Sequence, residues 1–514
     1  MPPGITIVGL GPGGADLWTE AARKTLASAH EVWLRTARHP GLETLSNAQG
    51  SRIHSFDTWY DEAQDFGSLY ARIATRIVEL GMREGGVVYA VPGNPTVGEE
   101  TVSRIRSQAA EAGLPVTIVP GLSFIEPTLA ALGVDALDGL QLADAAYLTS
   151  MHHPPLDPDR PALIAQLYSR RQAAQVKITL MNAYPDEHPV TLVRAAGTNQ
   201  EQVSACALFE LDRQPTVDHL TTLYLPPRSH PSGLPAFQET VAHLRAPDGC
   251  PWDREQTHKS LRPYLLEECH EVLTALDADD HHALLEELGD QLLQIDLHAQ
   301  IATETGEFQM ADVIGEIDTK IRRRHPHVFA DVTVNGVADV LTNWDTIKMA
   351  ERAAYSQRNH SIEGDTQEEE LTHGSILDGV PLAMPALARA QTISHRAVRV
   401  GFEWPNLDGV LEKLAEEARE VTDAETSEER EAEVGDLLFA MVNLARWLGV
   451  DAESALRATN ERFAHRFRIL ERLAHERGQK LTDLDINALD LLWEEAKQIQ
   501  PTEGAHAARS ERNE

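Results

Sequence analysis

Cysteine is scarce in this 514-residue chain, with Cys206, Cys250 and Cys269 the full complement. Three thiols allow no even pairing and stand at no metal-ligand spacing. They offer neither a disulfide framework nor a thiolate metal site, and they suit a reducing compartment as structural thiols. Long apolar runs are also missing. None approaches the ~20 residues that a bilayer span requires, and Met1 to Leu10 lacks a basic segment followed by a long apolar stretch. The expectation is a cytoplasmic protein with no membrane partner. Positive charge is short as well: 45 Lys and Arg stand against 80 Asp and Glu, a formal net charge of −35. A field of that sign repels nucleic-acid polymers and anionic membrane surfaces. A small polyanion that carries its own Mg²⁺ remains compatible with it.

The length implies several domains, since single cores rarely grow beyond roughly 250–300 residues. Hydrophobic residues make up 42% of the chain, ample for globular cores. Short β-rich runs alternate with helical stretches over the first 225 or so residues, at Ile5 to Val8, Val87 to Val91, Val116 to Val119 and Ile178 to Leu180. This alternation predicts a multidomain chain that opens with an α/β domain, residues 1–228, built on a largely parallel sheet. A proline-rich stretch, Pro226, Pro227, Pro231 and Pro235, marks its end. From Phe237 the apolar period becomes 3.6 and strands nearly disappear. Two all-α units follow, 229–355 and 375–500, separated by an acidic linker at 356–374 and trailed by a disordered tail at 501–514.

One acidic pattern occurs twice in the helical half. Glu267, Glu268 and Glu271 are followed by Glu287 and Asp290, and the order returns as Glu416, Glu417, Glu420, Glu433 and Asp436. Residues three or four apart share a helix face, so Glu268 with Glu271, and Glu287 with Asp290, project as pairs. Two such helices side by side place four carboxylates in one bundle interior. Repulsion and desolvation make that unfavourable unless cations enter, and oxygen ligands of this type suit Mg²⁺, with Mn²⁺ as a substitute. Glu-rich helices are more often solvated faces, but these acids adjoin Leu265, Leu284, Leu288 and Leu292 in one copy and Val434, Leu437 and Leu438 in the other. A Gly precedes the last Asp in both, at Gly289 and Gly435. Glu267 and His270 also form a Glu-x-x-His spacing, usable by a di-iron centre. The second copy has Arg419 at that place, which argues against it.

Basic and aromatic residues recur downstream. Lys320 and Arg324 in the first copy, and Arg462 and Arg466 in the second, are i, i+4 pairs able to grip phosphates. Trp344 with Lys348, and Trp493 with Lys497, repeat a Trp and a Lys four apart. They serve either as a base-stacking ring beside a phosphate-reaching cation or as core packing beside a solvated lysine.

Leu234-Pro-Ala-Phe, Cys250-Pro-Trp-Asp, Gln256-Thr-His, Leu266-Glu-Glu-Cys-His-Glu-Val, Glu286-Glu-Leu-Gly-Asp and Lys320-Ile-Arg-Arg-Arg-His-Pro-His-Val-Phe together resemble the MazG family of nucleoside triphosphate pyrophosphohydrolases. In the second copy Arg396-Ala-Val-Arg-Val-Gly-Phe-Glu-Trp, Glu433-Val-Gly-Asp-Leu-Leu-Phe-Ala and Asn460-Glu-Arg-Phe-Ala-His-Arg-Phe are similar to the family's C-terminal repeat. The resemblance implies an all-α, dimeric enzyme that uses Mg²⁺ to hydrolyse NTP or dNTP to monophosphate and pyrophosphate. On these positions Glu268, Glu271, Glu287 and Asp290 hold ions in the first repeat, and Glu417, Glu420, Glu433 and Asp436 in the second. Glu267 or Glu416 is the spare carboxylate for the attacking water. Lys413 matches a lysine of the C-terminal repeat, and Tyr264 stands at the corresponding place in the first. That difference favours the second repeat as catalytic.

In the N-terminal part, Gly9-Leu-Gly-Pro-Gly-Gly follows a strand-like run, and Val91-Pro-Gly-Asn-Pro and Val119-Pro-Gly-Leu-Ser-Phe follow two more. With Asp16, Leu17, Thr19 and Ala21, and with Pro189-Val-Thr-Leu-Val-Arg-Ala-Ala-Gly-Thr, they resemble the tetrapyrrole methylase family over about Gly4 to Pro227. That resemblance implies S-adenosylmethionine in a cleft between two α/β subdomains. Loops at carboxyl ends of strands are where such sheets place ligands, which makes Gly11, Gly93, Pro95 and Ser123 the cofactor candidates. Many members carry Asp where this chain has Gly14, so methyl transfer, binding without transfer and a structural role all stay open. Three accounts compete for the whole chain: a pyrophosphohydrolase, an S-adenosylmethionine-dependent methyltransferase with an auxiliary helical half, and a nucleotide sensor without turnover.

Overall fold

The computed structural model describes residues 2–42, 53–63, 65–360 and 375–499. Two compact units emerge, Met1–Arg352 and Ala353–Glu514. The first begins with a five-stranded sheet of β1 (Ile5–Gly9), β2 (Val32–Leu34), β3 (Ile53–Ser55), β4 (Val87–Val91) and β5 (Val116–Val119), in the order β3-β2-β4-β1-β5. Every pairing in it is parallel. In β4 all five residues, Val87 to Val91, are buried, as expected for a strand covered on both faces. Helices α1 (Glu20–Ser28), α2 (Phe66–Gly81), α3 (Glu100–Glu111) and α4 (Ile125–Leu132) accompany this sheet. The side chains of Thr19 and Asp65 cap the first two by accepting from Ala22 N and Ser68 N.

The second sheet, β6 (Gln141–Asp144), β7 (Ala162–Ala165), β8 (Pro189–Arg194), β9 (Gln202–Ala207) and β10 (Thr221–Leu225), runs β6-β7-β10-β8-β9. Only β6 and β7 are parallel, and the other pairings are antiparallel. The expectation of one largely parallel sheet therefore holds for the first sheet and fails for the second. Ile178 to Leu180, expected as a strand, is the end of helix α5 (Arg170–Leu180). Ser169 caps it through Gln172 N, and Ala173, Val176 and Leu180 bury one face at helical spacing, so periodicity outweighs the β-branched residue.

At the end of the α/β part, the Asp159 carboxylate accepts from Ser232 N, Ser232 Oγ and Gly233 N, fastening the start of helix α6 (Leu234–Arg245). Helices α7 (Arg262–Asp277) and α8 (His281–Thr305) form a hairpin whose second arm is capped by Asp280, accepting from His282 N and Ala283 N. Helices α9 (Met310–Arg324) and α10 (Val337–His360) follow. Helix α10 runs five residues into the stretch expected as a linker; 361–374 and the tail 501–514 lie outside the described residues. The second unit repeats the hairpin, with α11 (Ala386–Val398), α12 (Leu407–Asp423), α13 (Ser427–Trp447), α14 (Ala452–Glu476) and α15 (Ile486–Ile499). Asn406 caps α12, and Thr426 with Glu429 forms a capping box on α13. No strand follows Leu225 among the described residues.

The turns after β1, β4 and β5 lock together at glycines. A Cβ on Gly9 would stand 2.6 Å from both Gly121 N and Gly93 O, contacts that backbone cannot relieve. Gly9→Ala is expected to destabilise the α/β domain by about 1–3 kcal/mol, the usual range for overpacking. Calorimetry of the purified variant checks this, and an unchanged unfolding transition would contradict the packing described.

Candidate functional site

Each helical hairpin brings three acids together. In the first, ligand oxygens of Glu268 on α7 and of Glu287 and Asp290 on α8 lie within 4.8 Å of one another, all three half-buried. In the second, Glu417 and Glu420 on α12 and Glu433 on α13 do the same, with Glu417 buried, Glu433 half-buried and Glu420 exposed. Spacing explains the assembly: Glu287 and Asp290, and Glu417 and Glu420, are one helical turn apart and face the other arm. Glu271 and Asp436, expected as ligands, fall outside these tight groups and are exposed. Glu267 and Glu416 are exposed on the neighbouring flank.

The acids do not sit in a bundle interior. Flanking apolar residues expected to form core are largely open in the single chain, with Leu285 73% and Leu288 51% exposed on α8 and Leu438 49% exposed on α13. Partial burial, and then neighbouring charge, still raises the carboxyl pKa values. Glu268 is raised by desolvation, then by Asp290, Glu271 and Glu287. Glu287 is raised by desolvation and then by Glu271, Glu286 and Asp290. Glu420 is raised by desolvation and by Glu417, with Lys413 opposing. A donor set of clustered carboxylate oxygens, short of positive charge, fits a hard divalent cation.

The repeats differ in one cation. Lys413 Nζ lies 3.0 Å from Glu416 Oε1 and 2.8 Å from Glu417 Oε1, which holds the ammonium above its usual range. In the first hairpin Tyr264 instead meets Trp252 edge-on at 5.7 Å. Sequence reasoning matched Lys413 to a lysine of the C-terminal repeat and missed that it pairs with the acids themselves, although an i, i+4 Lys and Glu is a legible signal.

Downstream, Arg324 is committed to Glu351 at 2.6 Å, while Lys320 is half-buried on the same helix. Lys348 Nζ stands 5.1 Å from the Trp344 ring centroid, and His325 meets that ring edge-on. Arg462 donates to Thr459 Oγ1 at 2.7 Å, and Arg466 is half-buried and also partnered. Trp493 packs on the Ile469, Leu470 and Leu473 cluster and lies 5.0 Å from Phe463, whereas Lys497 pairs with Glu494. For Trp493, core packing is thus the observed role in this chain.

In the α/β domain Gly11 and Gly93, both at positive φ, exchange backbone hydrogen bonds of 3.1 and 2.8 Å. Ser123 donates from Oγ to Glu126 Oε2 at 2.6 Å, and its N–H bonds the same oxygen. These groups hold one another, and of the four cofactor candidates only Pro95 lines the adjoining cavity of about 400 Å³. The other cavity residues, Arg35, Glu99, Arg106 and Gln166 among them, carried no motif that sequence reasoning could single out.

Comparison with known proteins assigns the two halves. Residues 4–212 match the family described as Tetrapyrrole (Corrin/Porphyrin) Methylases, and residues 256–329 the MazG nucleotide pyrophosphohydrolase domain. The chain is 40% identical over 509 residues to "Uncharacterized protein YabN" of Bacillus subtilis, covering 96% of this chain and 99% of that one. It is 42% identical over 264 residues to the nucleoside triphosphate pyrophosphohydrolase/pyrophosphatase MazG of Thermotoga maritima, covering 51% of this chain and 95% of the relative. The nucleoside triphosphate pyrophosphohydrolase of Escherichia coli is 43% identical over 263 residues, 50% of this chain and 94% of its own.

Raised carboxyl pKa values carry a pH signature. Between the ordinary value of 4.5 and the raised values of Glu268, Glu287 and Glu420, the folded chain binds more protons than the unfolded one. Stability therefore falls as pH rises through that window, and a cation seated on the acids offsets the loss at higher pH. MgCl₂ is expected to raise the melting temperature near neutral pH and to lose that effect below pH 4.5, where the acids hold protons. Thermal scans at both pH values check this, and an equal shift at both would mean the ion binds elsewhere.

Proposed function

This chain belongs to the MazG nucleotide pyrophosphohydrolase family, and we propose that it uses Mg²⁺ to hydrolyse nucleoside triphosphates, NTP or dNTP, to the monophosphate and pyrophosphate. The observation that carries the reading is the recurrence of a three-carboxylate cluster in the two hairpins. Glu268, Glu287 and Asp290 hold the cation in the first repeat, and Glu417, Glu420 and Glu433 in the second, with Glu271 and Asp436 close behind. When bound, the ion supplies charge neutralisation of the triphosphate and a more acidic water. Glu267 is a free carboxylate beside the first cluster, suited to orienting or deprotonating the attacking water. In the second repeat Glu416 takes that part once Lys413 turns from it to a phosphate oxygen. Lys320, Arg462 and Arg466 supply further positive charge for the leaving pyrophosphate.

A second copy of the chain completes each site in this reading. Leu266, Leu285, Leu288, Leu292 and Ile295 are all exposed apolar residues near the first cluster, the kind of surface that a partner covers. Gly289 and Gly435 lie mid-helix with nothing within 4 Å of a built Cβ. Such a glycine costs a helix about 1 kcal/mol relative to alanine, and close approach of a partner helix accounts for it. A homodimer packed as a four-helix bundle buries both features.

S-adenosylmethionine is the cofactor that the methylase match over 4–212 implies. The N–H groups of Gly11 and Gly93 already bond each other's carbonyls and Ser123 bonds Glu126, so these residues would meet the cofactor through their remaining acceptor positions and close backbone approach.

Release of pyrophosphate from a panel of NTPs and dNTPs tests the hydrolase reading. Glu433→Gln and Glu287→Gln each remove one acid from one cluster. At least one is expected to cut the rate by about 100-fold, as large as losses of outer-shell partners alone can be. Turnover that releases orthophosphate, or full activity in the double variant, would contradict it.

A further inference from the structure

His258, in the stretch 246–261 ahead of α7, and His298 on α8 meet Nδ1 to Nδ1 at 2.8 Å, across 40 residues of chain. Their ring centroids are 5.1 Å apart and their planes differ by 10°. Two imidazoles in contact at 2.8 Å can hold their centres no farther apart than this. The nitrogens therefore point straight at one another, and the rings lie end to end in nearly one plane. One ring donates its Nδ1–H and the other accepts on its Nδ1 lone pair. A metal ion would need both lone pairs to converge on it, whereas these share one line, and no third His, Cys, Asp or Glu gathers there among the described residues.

The fold does not call for this pair. Counted from the last Asp of each acidic pattern, His298 stands where the second repeat has Leu444, and Asp296 where it has Val442. The second hairpin forms without either. Neighbouring charges are engaged elsewhere. Asp296 is buried and takes a hydrogen bond from Gln238 on α6, Glu304 pairs with Arg245 of α6 at 2.8 Å, and Arg254 donates to Pro247 O at 2.9 Å. On α7, Glu268 and Glu271 act on Asp290 and Glu287; Asp290 lies two turns, about 12 Å, before His298 on α8. On α9, Asp312 accepts from Gln309 N at 2.8 Å. Lys259 and Arg262 are open to solvent. Burial, and then charge on His258, hold His298 below the ordinary histidine value of 6.5.

We propose that this pair is an acid-released clasp, which fastens the stretch 246–261 to α8 and frees it when both rings are charged. A first added proton still leaves one Nδ1–H facing one lone pair, and makes that bond charge-assisted. A second leaves two N–H groups face to face with no acceptor between them, and repulsion replaces attraction. Between the value of His298 in the closed state and 6.5, the opened stretch takes up a proton that the closed one refuses. Closure is therefore full above pH 6.5 and is lost as pH falls toward the closed-state value. The freed stretch carries Trp252, which meets Tyr264 beside the first carboxylate cluster, so release loosens that flank. The second repeat, with Leu444, has no such clasp. None of this depends on what the carboxylates bind.

Hydrogen exchange by mass spectrometry on the full chain, from neutral pH down to about pH 5, tests this, with EDTA present and rates corrected for the pH dependence of amide chemistry. Peptides covering 250–261 contain the amides of Arg254, Gln256 and Leu261, all bonded within the stretch. Opening there is expected to rise about tenfold per pH unit below 6.5, the signature of one proton. Peptides covering 427–447 are expected to show no such slope. His258→Gln keeps the stretch fastened, because its amide offers N–H to a neutral ring and oxygen to a charged one, and is expected to abolish the slope. His298→Leu is expected to abolish it as well. A flat response in the unchanged chain, the same slope in both sets of peptides, or a slope that persists in His258→Gln overturns the proposal. Closure that appears only when Zn²⁺ replaces EDTA overturns it too, because the pair would then be a metal site.

Discussion

Mutual repulsion among clustered carboxylates is the constraint on which the helical half depends. Glu268, Glu287 and Asp290 converge within 4.8 Å, and so do Glu417, Glu420 and Glu433. Partial burial denies these groups full hydration, and the raised pKa values of Glu268, Glu287 and Glu420 record the cost. A chain with 80 acidic residues has ample surface on which to disperse such charge. It concentrates six acids in two hairpins instead, with two of the three from the second arm in the first cluster and two from the first arm in the second, and such a set favours a positive charge arriving from outside. In the proposed reading, a divalent ion carried in on a small polyanionic substrate meets that need.

The two repeats meet the constraint differently. In the second, Lys413 bridges Glu416 and Glu417 and supplies part of the missing charge from within the chain. In the first, Tyr264 packs on Trp252 and supplies none. The first cluster is therefore the more exposed to an unbalanced negative field, and the second is partly compensated before any ion binds. The family's chemistry asks for cations on phosphate oxygens as well as ions on carboxylates. In the proposed reading, Lys413 serves first one and then the other.

Much of this was legible in residue order. The apolar runs of β1, β4 and β5 and the capped, periodic helices identify the α/β and all-α parts, since burial on both faces and a 3.6-residue period leave direct traces. The five acids of the first repeat lie on the two arms of one hairpin, but spacing alone could not tell that Glu271 would stay outside the tight group while Glu268 entered it. Ile178 to Leu180, the end of the helix Arg170–Leu180, read as a strand because three residues are too few to reveal a period. The second sheet's antiparallel order was hidden, for strand direction depends on connections that the sequence does not print. The cavity around Arg106 was invisible for a similar reason. Its walls come from five separate stretches of chain, and only the loop carrying Pro95 is part of a motif.

Counting bound ions tests the central claim most directly. Mn²⁺ titrated into the full chain at neutral pH, with free ion followed by electron paramagnetic resonance, should reveal bound Mn²⁺ at two classes of site per chain. The class belonging to the first cluster should vanish when Glu268 and Asp290 are both changed to their amides, and the class belonging to the second should stay. A chain that leaves all the Mn²⁺ free, or binds the same number of ions after that double change, would contradict the account.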